Sequence, residues 1–462
     1  MPYASLRELL TLGGLGEPDT GMVEITGADP VLQTPYRMGT TAAAVIAATG
    51  VAASDLWALR TGRRQRVSVD MRAATAAFRS YKYLRVNGGA PTSGGMDTFS
   101  NFYRVRNGRY IFLHCNFAHL RDAALRVVGA PADSAAMAKA IEPWDGEELE
   151  TAIHAGGGCA AFVRTEAEWA RHPHAIANAA LPLLEITKIA DSPPEPLPAA
   201  PRPLSGIRAL DLTRVLAGPT CARTLAEHGA DVLKITGPGL ANSGQLELDT
   251  GQGKLSAQLD LRKAEGRETL RGLLRSADVF SQAYRPGTLA ERGFSPKDVA
   301  AIRPGIIYVT LSAWGHVGPW SRRRGFDTVV QSASGMADVM AKNGTPQLQP
   351  VSAIDYVNGY AMAFGAMVAL ARRAREGGSW LVRASLASGG QWINQRGRLD
   401  AETVAKAPAD LTADDVRPWL REVVAPDGRI AHLGPVLGLS ETPPHWARPP
   451  VPLAYHQPVW PG

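Results

Sequence analysis

Cysteine is scarce in this sequence, and its three copies form neither a disulfide framework nor a metal-binding pattern. Cys115, Cys159 and Cys221 lie far apart in 462 residues, and neither His-Glu-x-x-His nor paired Cys-x-x-Cys occurs. We therefore expect no metal site. Scattered cysteines are typical of a reducing compartment, and the N-terminal run MPYASLRELL lacks the pattern of a secretory signal. Both features predict a cytoplasmic protein.

Three motifs of common enzyme classes are also missing. The sequence contains no Gly-x-Ser-x-Gly nucleophile elbow and no Gly-x-x-x-x-Gly-Lys-Ser/Thr phosphate loop. The first predicted turn from strand to helix reads LAGP at residues 216–219, where a dinucleotide fingerprint requires Gly-x-Gly-x-x-Gly. The absence of this fingerprint argues against a nicotinamide dehydrogenase.

Charge of one sign is not concentrated, and long apolar runs are absent. The 49 basic residues exceed the 43 acidic ones by six, and the densest basic run, 322–324, is typical of a solvated turn. This surplus disfavours nucleic-acid binding and fits small anionic ligands with phosphates or carboxylates. The uncharged stretches 38–54 and 356–371 are shorter than the roughly 20 apolar residues of a membrane span, so we expect buried helices and no membrane partner.

The composition and one proline-rich stretch predict several folded parts. Hydrophobic residues make up 45% of the chain and charged residues 20%, as in globular proteins. Residues 191–204, DSPPEPLPAAPRPL, contain six prolines and predict a stiff linker. We predict a helix and strand segment (1–90), a small α+β domain (91–190), the linker (191–204), a large domain (205–390) and a C-terminal wrapping segment (391–462).

Strand and helix patterns alternate after the linker. Strands are predicted at 207–212, 231–235, 278–282 and 305–312, and helices at 219–228, 263–276 and 288–302. Alternating strands and helices imply a parallel sheet with helices on both faces. The predicted fold class is α/β, a Rossmann-like doubly wound parallel sheet with a smaller α+β domain.

Two hairpins are predicted outside this sheet. FYRVRNGRYIFLHC reads as two strands joined by Asn107-Gly108, a strong hairpin turn. A second hairpin is predicted within DGRIAHLGPVLGLS, residues 427–440.

Asp355 opens a long apolar helix pattern that closes with arginines and Gly377. A similar segment follows Met38, and an offset of 315 places Arg60 on Arg375 and Thr40 on Asp355. This predicts an internal repeat in which only the second copy has an acid at the helix start. By position alone, Asp355 is interpreted either as an N-cap or as a functional carboxylate held in the positive end of the helix dipole.

The run GIRALDLTRVLAGPTCARTLAEHGADVLKI resembles the opening of the family III CoA-transferases, which include formyl-CoA and carnitine CoA-transferases. The resemblance continues through SAQLDL, RRGFDTVVQSASGM and AIDYVNGYAMAFGAMVALARR and covers nearly all of residues 205–390. Segment 35–185 resembles the family's helix, strand and small domain, without the opening that should precede them. The order implies a fused or permuted form of two family halves.

The resemblance implies an acyl-CoA:carboxylate CoA-transferase whose substrates are an acyl-CoA and a carboxylic acid, with no permanently bound cofactor. Asp355 matches the catalytic aspartate, which in relatives attacks the thioester and becomes an aspartyl-CoA thioester. The implied coenzyme A contacts are Arg214, Val215, Leu216, Ala217, Lys254, Tyr284, Arg285 and Arg292. Family members form interlocked dimers, so a homodimer is expected.

Two alternatives remain open. A 2-methylacyl-CoA racemase needs a histidine before the aspartate of Gly-His-Asp, and Phe326 stands there in this chain. A catalytically silent CoA-binding or assembly partner is suggested by the missing small domain after residue 390 and by Gly251-Gln252-Gly253 in place of the usual Asn-Arg-Gly before the lysine. The pocket that selects the acyl group is predicted to include Trp314, His316 and Met336.

Overall fold

The computed structural model describes residues 1–90, 95–240 and 242–461, and it is a mixed α/β structure. Residues 91–94, the start of the predicted small domain, and Gly462, the end of the predicted wrapping segment, lie outside the described residues. The strands are β1 (Val23–Thr26), β2 (Val67–Asp70), β3 (Arg85–Val86), β4 (Phe102–Arg104), β5 (Tyr110–Leu113), β6 (Ala160–Phe162), β7 (Leu184–Ala190), β8 (Arg208–Leu212), β9 (Asp231–Thr236), β10 (Lys254–Gln258), β11 (Val279–Gln282), β12 (Ile307–Ser312), β13 (Ser379–Ser385), β14 (Leu420–Ala425), β15 (Gly428–Leu433) and β16 (Leu437–Leu439).

The helices surround these strands and include two of 24 residues. They are α1 (Pro2–Gly13), α2 (Met38–Thr61), α3 (Met71–Ala77), α4 (Ala118–Val128), α5 (Ser134–Ile141), α6 (Gly146–Ala155), α7 (Glu166–Arg171), α8 (Pro173–Asn178), α9 (Ala217–Glu227), α10 (Gln245–Thr250), α11 (Ala264–Leu274), α12 (Pro296–Ile302), α13 (Asp327–Ala333), α14 (Met336–Val339), α15 (Ala353–Glu376), α16 (Leu386–Asn394), α17 (Ala401–Ala405) and α18 (Ala413–Val416).

The largest sheet has seven strands in the order β10-β9-β8-β11-β12-β13-β7. All neighbours pair in parallel except β7, which is antiparallel to β13. Successive residues of β12 point to opposite faces: Ile307 packs into the core with α15, and Tyr308 into the core with α11 and α12. Burial on both faces explains the apolar runs in the sequence and confirms the predicted doubly wound α/β fold.

One predicted helix is shorter in the structure, and one strand of the sheet was not predicted. The predicted helix at 288–302 is regular only over Pro296–Ile302, because Gly293 has a φ of 81° and Ser295 begins a new helix with a capping box. Strand β10 was not predicted, since its sequence KLSAQ has few apolar residues. Two of its polar residues are buried nonetheless, because Lys254 pairs with Asp211 and Ser256 is 3% exposed.

Strands β4, β5 and β6 form a smaller antiparallel sheet packed with α4, α5 and α6. The predicted hairpin around Asn107-Gly108 is confirmed, and Gly108 has the positive φ of 70° that such a turn requires. The second predicted hairpin is placed wrongly. It pairs β14 with β15, so its turn lies at residues 426–427 and its first strand precedes the predicted segment.

The internal repeat is present as helix, strand and helix. Helices α2 and α15 begin 315 residues apart, and α3 and α16 keep the same offset. Strands β2 and β13 end 315 residues apart, and their last residues, Asp70 and Ser385, both cap the following helix. Thr34 donates a hydrogen bond of 2.7 Å to Gln349, which lies 315 positions further along. Equivalent residues of the two copies therefore meet between the halves.

Each copy of the repeat is completed by a strand from the other half of the chain, where the first half is residues 1–190 and the second half residues 205–462. Strand β2 lies between parallel β1 and antiparallel β16, which comes from the second half. Strand β13 lies between parallel β12 and antiparallel β7, which comes from the first half. The two halves are thus interlocked within one chain.

The two long helices pack against each other in the core. Both α2 and α15 are long and apolar enough to cross a membrane, and most of each is buried inside the protein. Gly359 permits the close approach of α15 to α9, since a Cβ there would lie 2.8 Å from the carbonyl oxygen of Ala217. This contact sets the start of α15 beside the turn that follows β8.

Candidate active site

A cleft of about 580 Å³ opens at the carboxyl ends of the parallel strands. Its lining comes from the segments after β8, β9, β10 and β11, from the end of β12 and from Asp355 in the first turn of α15. Ligands of open α/β sheets bind at this edge, where the strand order reverses between β8 and β11. The fold therefore places Asp355 in the expected ligand cleft.

The first half of the chain contributes one wall of this cleft. Phe117, His119 and Leu120 line it from the start of α4. The guanidinium of Arg214 lies 5.3 Å from the ring centre of Phe117, a favourable cation–π contact across the two halves. The cleft is therefore built from both halves of one chain.

Seven of the eight predicted coenzyme A contacts lie together in this lining. They are Arg214, Val215, Leu216, Ala217, Tyr284, Arg285 and Arg292. Val215 has a φ of 71°, a left-handed conformation that is strained for a β-branched residue and is typical of functional turns. Helix α9 begins at Ala217, so its free amides and positive dipole end face the cleft.

Lys254, the eighth predicted contact, does not line the cleft in the part of the chain that the structure describes. Its side chain is 2% exposed, and its Nζ donates to Asp211 at 2.7 Å and to the carbonyl of Pro219 at 2.8 Å. Asp211 in turn accepts from the backbone amide of Thr213 at 2.9 Å. Lys254 therefore supports the turn before α9 from below, and we remove it from the predicted coenzyme A contacts.

Lys254→Met should lower the free energy of unfolding by about 3–5 kcal/mol, because it leaves the Asp211 carboxylate buried without its partner. Burial acts to raise the pKa of Asp211, yet the charges of Lys254 and Lys234 hold it below its usual value. Urea unfolding measures the loss. Lys188→Met is the control, since Lys188 pairs with Asp191 at the surface and should cost under about 1 kcal/mol. Unchanged stability with weakened coenzyme A binding would restore Lys254 as a ligand contact.

The cleft is strongly cationic. Its described lining includes six arginines and two aspartates. Burial and the nearby charge of Arg285 both lower the pKa of Arg324, and burial is the larger cause. Burial, Arg324 and Arg214 likewise lower the pKa of His119. We call Arg214, Arg285 and Arg324 the arginine cluster, and its three positive charges in one cleft favour an anionic ligand.

The interpretation of residues 322–324 as a solvated turn is wrong for two of the three arginines. Arg323 and Arg324 line the cleft. Arg323 lies 4.5 Å from the ring centre of Trp320, and Arg324 donates to the carbonyl of Gly157 in the first half. Contacts between distant residues turn this run inward, and a short basic run gives no signal of that kind.

Asp355 is buried, with 8% of its surface exposed, and its carboxyl faces the cleft without capping the helix. Its side chain makes no hydrogen bond to any residue within the described ranges. The amides of Ile354 and Asp355 are instead bonded to Asp327, at 2.8 and 3.0 Å. The prediction that helix-end amides favour the Asp355 anion is therefore corrected, because Asp327 uses two of them.

Burial and the neighbouring charge of Asp327 both disfavour ionisation of Asp355. They raise the pKa of Asp355 well above the usual carboxyl value, and burial raises the pKa of Asp327 to about 6. Buried acids with raised pKa values in a cleft are typical of functional sites.

Trp314, His316 and Met336 do not form the predicted acyl pocket. None of the three is among the described residues that line the cleft. Trp314 is buried and donates to the carbonyl of Arg324 at 3.0 Å, and Met336 lies in the core. His316 lies 3.6 Å from Glu185. Phe326 and Leu386, in contrast, line the same cleft as Asp355.

Comparison with known proteins matches two stretches of the chain, residues 4–188 and 204–417, to the model of CoA-transferase family III. The gap between them falls on the proline-rich linker. Among curated relatives, acetyl-coenzyme A transferase nodX of Hypoxylon pulicicidum is 30% identical over 64% of this chain and 54% of its own length. The succinyl-CoA:glutarate CoA-transferase of Mus musculus is 32% identical over 40% of this chain and 46% of its own length.

Solved structures with similarity include Rv3272 from Mycobacterium tuberculosis, at 31% identity and a TM-score of 0.39, over 42% of this chain and 58% of that one. A CAIB/BAIF family protein from Brucella suis is 28% identical with a TM-score of 0.40, over 50% of this chain and 65% of that one. The chain spans about half the length of the curated relatives it matches. On the match of the family model to most of its residues, the chain belongs to CoA-transferase family III.

Proposed function

We propose that this protein is an acyl-CoA:carboxylate CoA-transferase and that Asp355 is its nucleophile. The proposal rests on one observation. A single cleft contains the arginine cluster and the buried, uncapped carboxyl of Asp355 at the start of α15. A coenzyme A thioester has phosphates at one end and a reactive carbonyl at the other. The cleft offers cations for the first and a carboxylate for the second.

In the proposed reaction, the ionised Asp355 oxygen attacks the thioester carbonyl. The C–S bond breaks, coenzyme A leaves as a thiolate, and the acyl group remains on Asp355 as a mixed anhydride. The thiolate then attacks the Asp355 carbonyl carbon, the bond from that carbon to the bridging anhydride oxygen breaks, and the donor acid leaves as a carboxylate that carries this oxygen. The resulting aspartyl-CoA thioester reacts with the acceptor carboxylate by the same steps in reverse. We propose that amides at the start of α9, which lines the same cleft, stabilise the tetrahedral oxyanion of these steps.

The racemase alternative is disfavoured by the residue that stands beside Asp327. Phe326 lines the cleft and has no group that exchanges a proton. His114 stacks on Phe326 with 3.8 Å between ring centres, but burial lowers its pKa to about 3, so it is a poor acid near neutral pH. We also propose that the enzyme is cytoplasmic, since three buried free cysteines suit a reducing compartment. The proposed reaction uses no permanently bound cofactor.

Exchange between an acyl-CoA and an isotopically labelled carboxylic acid tests the function. We expect label to enter the thioester pool, measured by mass spectrometry over a panel of acyl-CoA donors and acid acceptors. Exchange of the α-proton with deuterated water without acyl exchange would indicate a racemase. Coenzyme A binding without either exchange would indicate the silent partner.

The family resemblance leads us to expect two chains that interlock with each other. In this structure the two halves of a single chain exchange strands β7 and β16. We therefore propose that one chain is the functional unit. The first half supplies β7 and one wall of the cleft, and Thr40 stands where the second half has Asp355. Light scattering should therefore give the mass of one chain, and titration calorimetry about one coenzyme A per chain. Loss of activity on dilution, together with the mass of two chains, would instead support the homodimer.

A further inference from the structure

Asp327 holds the start of helix α15. It is the first residue of α13 and is 5% exposed. One carboxylate oxygen accepts from the amides of Ile354 at 2.8 Å and Asp355 at 3.0 Å, and the other accepts from the side chain of Gln331. All of these contacts are buried. The carboxylate therefore satisfies two of the free amides of the helix end, a task usually performed by the N-cap residue itself.

The position of Asp327 is fixed by a chain of side chains that ends in the first half. Gln331 accepts from the backbone amide of Gln349 at 2.8 Å. Gln349 accepts from the hydroxyl of Thr34 at 2.7 Å. Each link is buried, so the Asp327 carboxylate has little freedom to leave the helix end.

The first half contains the same device without a nucleophile. Asp29 accepts from the amides of Gly39 at 2.7 Å and Thr40 at 3.0 Å. The offset of 315 places Gly39 on Ile354 and Thr40 on Asp355. Capping by a distant aspartate therefore stabilises the helix start even where no nucleophile is present. The second half differs because the capped residue, Asp355, is itself an acid.

We propose, on the basis of the function proposed above, that Asp327 is a positioning residue for the nucleophile: by occupying both amides it leaves the Asp355 carboxyl free to face the cleft, and it places a second negative charge beside it. As a consequence, the Asp355 carboxyl is uncapped and ionises less readily than an ordinary carboxyl. An uncapped carboxylate keeps its oxygen lone pairs for the thioester carbonyl.

The other titratable groups packed around the pair do not supply this charge. Burial raises the pKa of Tyr81, whose hydroxyl bonds Ser352, so it stays neutral. His114, which bonds Thr328, is neutral because burial lowers its pKa to about 3. Arg79 is paired with Asp410 at 2.5 Å. Removing the negative charge of Asp327 should therefore lower the pKa of Asp355, so that Asp355 ionises at lower pH.

The test is the pH dependence of adduct formation on Asp355 in a single turnover with acetyl-CoA, quantified by intact-protein mass spectrometry. Asp327→Asn keeps an oxygen that accepts from the amides but removes the charge. We expect the acid limb of its profile to move to lower pH by at least about one unit, as for a strongly coupled pair. Asp327→Glu restores the charge and should move the limb back toward that of the unaltered protein.

Asp29→Asn is the matched control, because it removes the same cap charge beside Thr40. It should lower the melting temperature by loosening the start of α2 and leave the acid limb in place. If Asp327→Asn does not fold, Asp327→Ser provides a neutral residue that is favoured at helix starts.

An unmoved limb, or one moved to higher pH, in a folded neutral variant would overturn the role of Asp327. A shift of the same size in Asp29→Asn would also overturn it, since the effect would then come from helix stability. Absence of any adduct in the unaltered protein would instead contradict the proposed function, so the two failures are distinguishable.

Discussion

Asp355→Asn should reduce CoA-transfer turnover by a factor on the order of a thousand or more, while coenzyme A still binds. The amide oxygen of asparagine is a poor nucleophile and cannot form the anhydride. The substitution keeps the volume of the side chain, and the arginine cluster is unchanged. Steady-state exchange rates and calorimetric binding of coenzyme A measure the two quantities separately.

Thr40→Asn provides the matched control for this variant. It introduces the same amide at the equivalent position of α2, where the first half has no acid. Activity close to that of the unaltered protein is expected, with a similar change in melting temperature. Full activity in Asp355→Asn would show that another group attacks the thioester.

Replacing both Arg285 and Arg324 by alanine should raise KM for the acyl-CoA by about 10- to 100-fold per lost phosphate contact, with a smaller effect on kcat. Both residues line the cleft, and the charge of Arg285 contributes to the lowered pKa of Arg324, so the two positive charges repel each other. The residual affinity should also depend less steeply on salt, because fewer charges are neutralised on binding.

Arg322→Ala is the control for the arginine pair. Arg322 belongs to the same basic run but is absent from the described lining of the cleft. Its KM should stay within about twofold of the unaltered value. An equal rise of KM in both variants would indicate a general effect of surface charge and no specific phosphate site.

The strands of the large sheet were predictable because burial on two faces requires continuous apolar runs. IRALDL and the segment at 305–312 are largely apolar, and both form central strands. Edge strand β10 was missed because its sequence includes Lys254 and Ser256, polar residues that the fold buries through contacts distant in sequence. The start of α15 was predicted within two residues because its sequence is apolar over several turns.

The candidate site was predictable in part. Arg214, Tyr284, Arg285 and Arg292 follow strands of a parallel sheet, whose carboxyl ends meet at one edge. The placement of Lys254 depends on a contact with Asp211, 43 residues away, and no local pattern reveals it. The same holds for Asp327, whose backbone amide partners in α15 lie 27 and 28 residues further along the chain.

The repeat was visible in sequence, but its consequence was not. The offset of 315 correctly aligned the two long helices and the strands that follow them. Strands β7 and β16 each pair with a strand that is distant in sequence. Their own sequences do not indicate which strand that is. The interlock of the two halves therefore required the structure.

Trapping the enzyme-bound intermediate tests the central claim most directly. The protein is incubated with an acyl-CoA, treated with hydroxylamine or left untreated, digested and analysed by mass spectrometry. A mass increase equal to coenzyme A less one water on the peptide that contains Asp355, converted by hydroxylamine to a hydroxamate, is the predicted result. Steady acyl exchange with Asp355 unmodified throughout, or with the adduct on a different residue, would contradict it.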